Sequence, residues 1–203
     1  MNIYGASGHA KVLIEIIHSF GGSVNYIFDD DPEIEKVLNY PVFHEILPEM
    51  IKLPTVIGVG NNIIRKKISL KFQGAFTDAL IHQSAVVSES AQLGKGSVLM
   101  ANSVVNAQSV IKSHCIINSG SIIEHDNIID HFVHVSPGAV LTGNVTLGEG
   151  THIGAGAVIL PGVKIGRWVT VGAGALILKD VPDFAVVVGN PGKVIKYNTV
   201  NNE

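Results

Sequence analysis

Residues Ala85 to Asp180 divide into hexads that read AVVSES, AQLGKG, SVLMAN, SVVNAQ, SVIKSH, CIINSG, SIIEHD, NIIDHF, VHVSPG, AVLTGN, VTLGEG, THIGAG, AVILPG, VKIGRW, VTVGAG and ALILKD. The third residue of every hexad is Val, Leu or Ile. The first residue is always one of Ala, Ser, Cys, Asn, Val or Thr. An α-helix, with its period of 3.6, cannot produce a strict period of six over such a length. The pattern therefore predicts a parallel β-helix.

In that fold each hexad forms one short strand and one turn, and three hexads close a triangular coil. The aliphatic third residue points inward and stacks on its counterparts in neighbouring coils, about 4.8 Å apart. Residues eighteen apart should share a face, as in the series Ile117, Val135, Ile153 and Val171. We expect residues 81–203 to form an all-β, left-handed parallel β-helix domain with a C-terminal tail. Glycines at the fourth hexad position are expected to serve corners that need permissive backbone angles; they are Gly94, Gly148, Gly154, Gly166 and Gly172.

Residues 1–80 lack the hexad and alternate between strand and helix patterns. Strands are predicted at residues 2–4, 24–28 and 55–59. Helices are predicted after the first and third strands, ending near Phe20 and Phe72. Alternating units of this length indicate a small parallel sheet with crossover helices, an α/β Rossmann-like domain.

The first strand of this domain ends in a glycine-rich turn, Gly5-Ala6-Ser7-Gly8-His9, which opens the first helix. Backbone N–H groups and the helix dipole attract a phosphate at such a place. The acidic residues 29–31 follow the second strand, where ribose or base hydroxyls are held in related sheets. The turn alone would also fit a tight connection without a ligand. The second polar turn, Gly60-Asn61-Asn62, lies at the same end of the sheet and favours a binding site.

Composition narrows the function classes. The chain has 203 residues and a net charge of −3, and no run of Lys or Arg forms an electrostatic footprint for nucleic acid, which argues against such a partner. No apolar run is long enough for a membrane span. The single cysteine fits a reducing compartment, and the chain enters an apolar strand at Asn2 without a charged-then-apolar leader. A cytoplasmic location is expected.

With both halves considered, the chain resembles the bacterial nucleotide-sugar acetyltransferases that N-acetylate UDP-4-amino sugars in the bacillosamine pathway. Relatives in the same family act on GDP-perosamine and on sialic acid. The resemblance covers nearly the whole chain. The motifs that carry it are Tyr4-Gly5-Ala6-Ser7-Gly8-His9, Phe28-Asp29-Asp30, Gly58-Val59-Gly60-Asn61-Asn62 with Arg65-Lys66-Lys67, Ile117-Asn118, Ile123-Glu124-His125-Asp126, His134-Val135-Ser136, Gly143-Asn144-Val145 and Val188-Gly189-Asn190-Pro191-Gly192-Lys193.

The resemblance implies roles for individual residues. His125 falls on the family's catalytic base, and Asp126 stands where the bacillosamine-type relatives have Glu, one methylene longer. The expected substrate-binding residues are Ser7, Gly8 and His9 for the diphosphate and sugar, Asp29 and Asp30 for the uridine, and Gly60 and Asn61 in the second turn. The expected acetyl-CoA-binding residues are Asn118, His134, Gly143, Ala155 and Ala173. In this family the active site lies between adjacent subunits, which implies a homotrimer.

The chemistry also calls for a base that works near neutral pH, because an amine that attacks a thioester must lose a proton. The chain has nine histidines. His125 is the fifth residue of its hexad, at a corner and beside Glu124 and Asp126; a solvated surface histidine is the alternative. His134 and His152 are eighteen apart and should stack on one face. For His152 an exterior polar ladder is the simpler interpretation.

Other side chains suggest different chemistry. His114, His131 and His152 suggest zinc, but the chain has no His-x₄-His pair of the kind found in β-helical zinc enzymes, so no metal is expected. Cys115 occupies a small first position, which favours a packed thiol over a nucleophile. Trp168 lies near a coil corner, where it lines a groove or packs on a neighbour.

These observations predict an acetyltransferase that moves an acetyl group from acetyl-CoA to the amino group of a nucleotide-linked 4-amino sugar, in surface glycan or glycoprotein biosynthesis. Asp29-Asp30 favours UDP over dTDP or GDP as the nucleotide. Two alternatives remain: O-acetylation of a sialic acid or another sugar, and a non-catalytic trimeric β-helix scaffold. A scaffold has no need for a phosphate-binding domain or a His-Asp corner.

Overall fold

The computed structural model describes residues 1–199. It consists of an N-terminal α/β unit followed by a left-handed parallel β-helix, as predicted. Within the described residues, no helix has the length and apolar character that crossing a membrane requires.

The N-terminal unit is built on a five-stranded sheet with strand order β3-β4-β2-β1-β5. Strands β4, β2, β1 and β5 run parallel, and β3 pairs antiparallel with β4. Two helices and a short 3₁₀ segment, Met50–Lys52, complete it. The elements are β1 (Asn2–Tyr4), α1 (Gly8–Ser19), β2 (Ile27–Phe28), β3 (Lys36–Val37), β4 (Tyr40–Phe43), β5 (Thr55–Ile57) and α2 (Asn62–Lys71).

This sheet confirms the predicted class and differs in detail. The second and third predicted strands are shorter than expected, since β2 begins only at Ile27 and β5 ends at Ile57. The β3–β4 hairpin was missed, because it contains Pro41 and shows no clear alternation of apolar and polar residues.

The β-helix has three faces, each a parallel sheet whose neighbouring strands are eighteen residues apart, as between Val104 and Ile122. Face 1 holds β6 (Leu80–Ile81), β9 (Val98–Leu99), β12 (Ile116–Ile117), β15 (His134–Val135), β18 (His152–Ile153), β21 (Thr170–Val171), β23 (Ala185–Val188) and the antiparallel β24 (Lys193–Tyr197). Face 2 holds β7 (Val86–Val87), β10 (Val104–Val105), β13 (Ile122–Ile123), β16 (Val140–Leu141), β19 (Val158–Ile159) and β22 (Leu176–Ile177). Face 3 holds β8 (Gln92–Leu93), β11 (Val110–Ile111), β14 (Ile128–Ile129), β17 (Thr146–Leu147) and β20 (Lys164–Ile165).

The interior is the predicted aliphatic column. Third-position residues from Leu99 to Ile177 are at most 2% exposed. Burial of each such side chain contributes about 1.5–3 kcal/mol, which offsets part of the entropy cost of ordering its hexad. The β-helix begins one strand before the repeat, because Leu80 already pairs with Val98 on face 1.

The expectation that the fourth-position glycines supply the permissive backbone angles of the corners is wrong. Every sixth-position residue from Gly96 to Gly174 has a positive φ, including non-glycine residues such as Asn102 (φ 57°) and Asn144 (φ 60°). The left-handed turn therefore falls at the sixth position. The fourth-position glycines serve close approach instead: a Cβ on Gly154 would lie 2.5 Å from the backbone nitrogen of Ala173 in the next coil.

The two units share a hydrophobic core. Side chains of α1, such as Leu13 and Ile17, cluster with Val98 and Ile116 on the outside of face 1. The N-terminal unit thus packs on the first strands of face 1, and α2 lies along the corner between faces 3 and 1, where the Asn62 amide donates to the Gly150 carbonyl at 2.9 Å. The third corner, between faces 2 and 3, lies opposite face 1 and is left uncovered by this unit.

The two kinds of glycine should respond differently to substitution. Gly154→Ala forces the added methyl group into the next coil and should cost about 1–3 kcal/mol, or roughly 2–10 °C in Tm. Gly156→Asn, two residues later, meets no atom within 4 Å and places Asn where Asn102 and Asn144 already stand. Thermal unfolding followed by circular dichroism should show Gly156→Asn close to wild type. Equal losses in the two variants would contradict this assignment of the corners.

Candidate active site

His125 and Asp126 form a hydrogen-bonded pair at the corner between faces 2 and 3. They are the fifth and sixth residues of one hexad, and the left-handed φ of 61° at Asp126 turns the chain at this point. The His125 Nδ1 lies 2.7 Å from the Asp126 Oδ2. The His125 side chain is 62% exposed and is open to a substrate. The shorter aspartate thus reaches the ring.

Gly143 lies against the His125 ring, one coil further along the same corner. A Cβ on Gly143 would lie 2.7 Å from Cε1 and 2.8 Å from Nε2 of that ring. Only glycine therefore leaves the Nε2 edge clear. Within residues 1–199 the Gly143 N–H donates no backbone hydrogen bond, so it is available to a ligand beside the imidazole.

This geometry defines what the corner can do chemically. When Nδ1 donates to the Asp126 carboxylate, the lone pair of a neutral imidazole resides on Nε2. Nε2 then accepts a proton from a group that approaches past Gly143, while the Gly143 N–H stabilises a developing negative oxygen. A histidine base, an orienting carboxylate and an amide donor are the components of an acyl-transfer site.

A second polar group lies on face 1 and the corner between faces 1 and 2. His134 and His152 stack with ring centroids 4.9 Å apart, as predicted from their spacing. The Asn118 amide approaches the His134 Nε2 at 3.0 Å, and the Ser136 hydroxyl pairs with the His152 Nε2 at 2.7 Å. Ala155 and Ala173 lie eighteen residues apart and exposed on the neighbouring corner.

Burial decides how His134 can act. Desolvation, followed by the charges of His152 and Arg65, lowers the pKa of His134 to about 3. Its imidazole is therefore neutral near pH 7 and serves as a hydrogen-bonding group, because a base with so low a pKa would be ineffective.

The β1–α1 turn presents the predicted phosphate-binding surface. Ser7 and Gly8 are exposed, and Ser7 is the N-cap of α1 with no side-chain capping bond. A Cβ on Gly8 would meet nothing within 4 Å, so the space above the first turn is open. His9 is more deeply placed, and burial followed by the charge of Arg65 lowers its pKa to about 4.

The acidic residues after β2 have distinct contacts. The Asp29 carboxylate accepts from the Ala6 N–H at 2.6 Å and from the Asp31 N–H at 3.0 Å, which holds the β1–α1 turn in place. Asp30 is exposed and accepts from the Tyr4 hydroxyl at 2.7 Å. Asp29 therefore shapes the turn, and Asp30 is the more accessible carboxylate.

The Gly60-Asn61 turn connects β5 to α2 and lies beside face 1 of the β-helix. The Asn61 side chain caps α2 by accepting from the N–H groups of Ile63 and Ile64 at 3.0 and 3.1 Å. The Gly60 backbone lies near the His134 ring, where it slightly opposes the lowering of the His134 pKa. The structure therefore brings Gly60 and His134 together, although the sequence had placed them in different binding sites.

The predicted residues fall into two groups within one chain. One group surrounds face 1 and consists of Ser7, Gly8, His9, Asp29, Asp30, Gly60, Asn61, Asn118, His134, Ala155 and Ala173. The other occupies the opposite corner and consists of His125, Asp126 and Gly143. Within a single chain, His125 therefore lies away from the β1–α1 and Gly60-Asn61 turns.

The remaining candidates take structural positions. Cys115 is fully buried, and burial raises the pKa of its thiol to about 12, as suits a packed thiol. Trp168 covers Gly150, and the Lys66 ammonium lies 5.5 Å from the centre of its ring. Across residues 1–199, no three His, Cys, Asp or Glu side chains are grouped to hold a metal ion.

Comparisons with known proteins identify both units. Residues 1–72 match the family model described as the PglD N-terminal domain, and residues 144–179 match bacterial transferase hexapeptide (six repeats). A search of curated protein sequences gives no match.

Solved structures resemble the whole chain. PerB from Caulobacter crescentus, in complex with CoA and GDP-perosamine, is 37% identical over 96% of each chain, with a TM-score of 0.91. The acetyltransferase domain of PglB from Neisseria gonorrhoeae is 40% identical over 96% of this chain and 98% of that one, with a TM-score of 0.88. A second structure of that domain contains acetyl coenzyme A.

Sequence identity of 37–40% over nearly the full length of both chains indicates a shared family as well as a shared fold. The histidine-carboxylate corner and the turn at the start of α1 fit the same assignment. The chain therefore belongs to the nucleotide-sugar acetyltransferases built on hexapeptide repeats, and it is an acetyltransferase with acetyl-CoA as co-substrate.

Proposed function

We propose that this protein N-acetylates a nucleotide-linked 4-amino sugar, with His125 as the general base. The observation that carries the proposal is the His125–Asp126 pair at 2.7 Å, with Gly143 packed against the open Nε2 edge. Acetyl-CoA supplies the acetyl thioester. The amine nitrogen attacks the thioester carbon, and His125 takes the proton that the amine loses while Asp126 holds the ring in the required tautomer and the Gly143 N–H donates to the thioester oxygen. The C–S bond then breaks, and CoA leaves as the thiol after it receives that proton from His125.

N-acetylation is favoured over O-acetylation by the relatives. Two further Caulobacter structures are named as perosamine N-acetyltransferases, and each carries a substitution of one histidine, to Asn or to Ala. UDP remains our proposed nucleotide, because the accessible Asp30 follows β2 where a nucleoside would lie. Mixing the protein with acetyl-CoA and UDP-, dTDP- or GDP-linked amino sugars, while following free thiol, tests the substrate directly.

We also propose how the work is divided along the chain. Residues 1–80 bind the nucleotide, through Ser7, Gly8 and His9 at the start of α1 and the Gly60-Asn61 turn. The β-helix, residues 81–203, binds acetyl-CoA along the corner of Ala155 and Ala173. Because His125 lies on the corner opposite the nucleotide unit, we propose a homotrimer in which this corner of one subunit meets the nucleotide unit of the next.

His125→Ala should lower kcat by roughly 10²–10⁴ while KM for both substrates stays close to wild type, because only proton transfer is lost. His131→Ala is the matched control. His131 is the fifth residue of the following hexad but lies at the corner beside α2. Steady-state kinetics by thiol release measure both variants. A His125→Ala enzyme within tenfold of wild type would remove His125 from the mechanism.

Gly8→Asp should separate stability from substrate binding. The first turn of α1 has no acidic residue, so an added carboxylate there should stabilise the helix by about 0.3–1 kcal/mol. The same charge repels a diphosphate, and KM for the nucleotide sugar should rise at least roughly tenfold. Melting curves and kinetics check the two effects. Unchanged KM for the nucleotide sugar would place the diphosphate elsewhere.

The shared active site predicts complementation between two impaired subunits when the nucleotide sugar is kept well below the raised KM of the Gly8→Asp variant. Co-expressed His125→Ala and Gly8→Asp chains should form mixed trimers in which some sites combine an intact corner from one chain with an intact turn from the other. Random mixing in equal amounts should restore about a quarter of wild-type activity. Each variant assembled alone is the control. If mixed assemblies are no more active than the two separate variants, the site lies within one chain.

A further inference from the structure

Arg65 is a fully satisfied guanidinium buried between the two units. It lies in α2 and is 1% exposed. Its Nε donates to the His114 carbonyl at 2.8 Å, and Nη2 donates to the Phe132 carbonyl at 2.8 Å and to the Asn62 side chain at 2.7 Å. Nη1 donates to the carbonyls of Val59 and Gly60, both at 3.1 Å. All five N–H groups of an arginine are thus used, and none meets a carboxylate.

The acceptors on the β-helix side come from the geometry of its corners. His114 and Phe132 are sixth-position residues in successive coils, with φ values of 58° and 60°. In the described chain, no backbone N–H donates to a sixth-position carbonyl from Gly96 to Gly174. The left-handed turns therefore leave a column of unused acceptors beside α2, and Arg65 bonds two of them.

The acceptors on the other side belong to the turn that follows β5. Val59 and Gly60 lead into Asn61, and the Gly60 backbone lies beside the His134 ring on face 1. Arg65 therefore ties this turn to the coils on which His134 stands, together with Asn62, whose amide donates to the Gly150 carbonyl. Its charge is also felt there, since it contributes to the lowered pKa values of His9, His134 and His152.

We propose that Arg65 is a positioning residue for the nucleotide-sugar half of the active site, because its guanidinium fixes the Gly60-Asn61 turn at a set distance from the β-helix. The inference rests on the proposed function, which assigns this turn to substrate binding. Arginine suits the task because one rigid, planar group donates to two separate segments, which the three donors of a lysine ammonium on a flexible stem cannot reproduce.

Arg65→Lys tests the proposal because it keeps the positive charge and removes the planar guanidinium that donates to both segments. In the free protein, amide hydrogen exchange of residues 58–62 should become faster, since the turn loses its anchor. KM for the nucleotide sugar should rise by roughly 10–100-fold, the effect expected of a small displacement of a binding group. KM for acetyl-CoA should stay within about twofold of wild type, because its proposed groove lies on another corner.

Lys66→Met is the matched control on the same helix. The Lys66 ammonium pairs with Glu149 and lies near the Phe132 and Trp168 rings, so its partners belong to the β-helix alone. This variant should change the melting temperature without changing exchange at the turn or KM for the nucleotide sugar. As a second test, methylguanidinium should restore nucleotide-sugar binding to Arg65→Ala, whereas sodium chloride at equal ionic strength should not.

The possible outcomes separate the inference from the function on which it rests. An Arg65→Lys enzyme with a lower Tm but wild-type exchange and KM values below that temperature would show a purely structural arginine and overturn the inference alone. A wild-type protein that binds no nucleotide sugar would overturn the proposed function and this inference together.

Discussion

Each coil of the β-helix depends on one backbone constraint, the left-handed φ of the sixth hexad residue. Three such residues per coil turn the chain back on itself, so that strands eighteen residues apart pair in register. Residues other than Gly, Asn and Asp adopt a left-handed backbone conformation at a cost in free energy. The burial of the third-position aliphatic in the same hexad offsets that cost. The turn also leaves the sixth-position carbonyl without a backbone donor, so the corners carry unused hydrogen-bonding groups.

Those corners hold the groups that matter for chemistry. At the corner between faces 2 and 3, residues five and six of one hexad are His125 and Asp126, and the turn brings adjacent side chains within 2.7 Å. One coil later, Gly143 leaves the ring edge clear. His125, the base in our proposal, is therefore supported by a stack of coils on either side of it, and such a rigid site needs little reorganisation when a substrate arrives.

The same corners explain how the N-terminal unit is held. Arg65 and Asn62 donate to the carbonyls of His114, Phe132 and Gly150, which are sixth-position residues of three successive coils. Together with the shared apolar cluster on face 1, these bonds fix the β1–α1 and Gly60-Asn61 turns relative to the β-helix. They also fix those turns on the side away from His125, which is why a second subunit is needed in our proposal.

The sequence alone determined the β-helix. An aliphatic residue at the third position of every hexad, with three hexads to a coil, requires interior columns in which residues eighteen apart stack. It also predicted the parallel sheet of the N-terminal unit and named the residues of the candidate site, whose roles remain predictions. Only the tertiary structure showed that the sixth hexad position makes the turn and that the fourth-position glycines allow coils to approach. Only the structure showed that Asp29 accepts a hydrogen bond from Ala6 in the β1–α1 turn. It also showed that Arg65 bonds both the Gly60-Asn61 turn and the β-helix. Hydrogen bonds between residues far apart in sequence leave no periodic pattern, because each depends on how two units pack against each other.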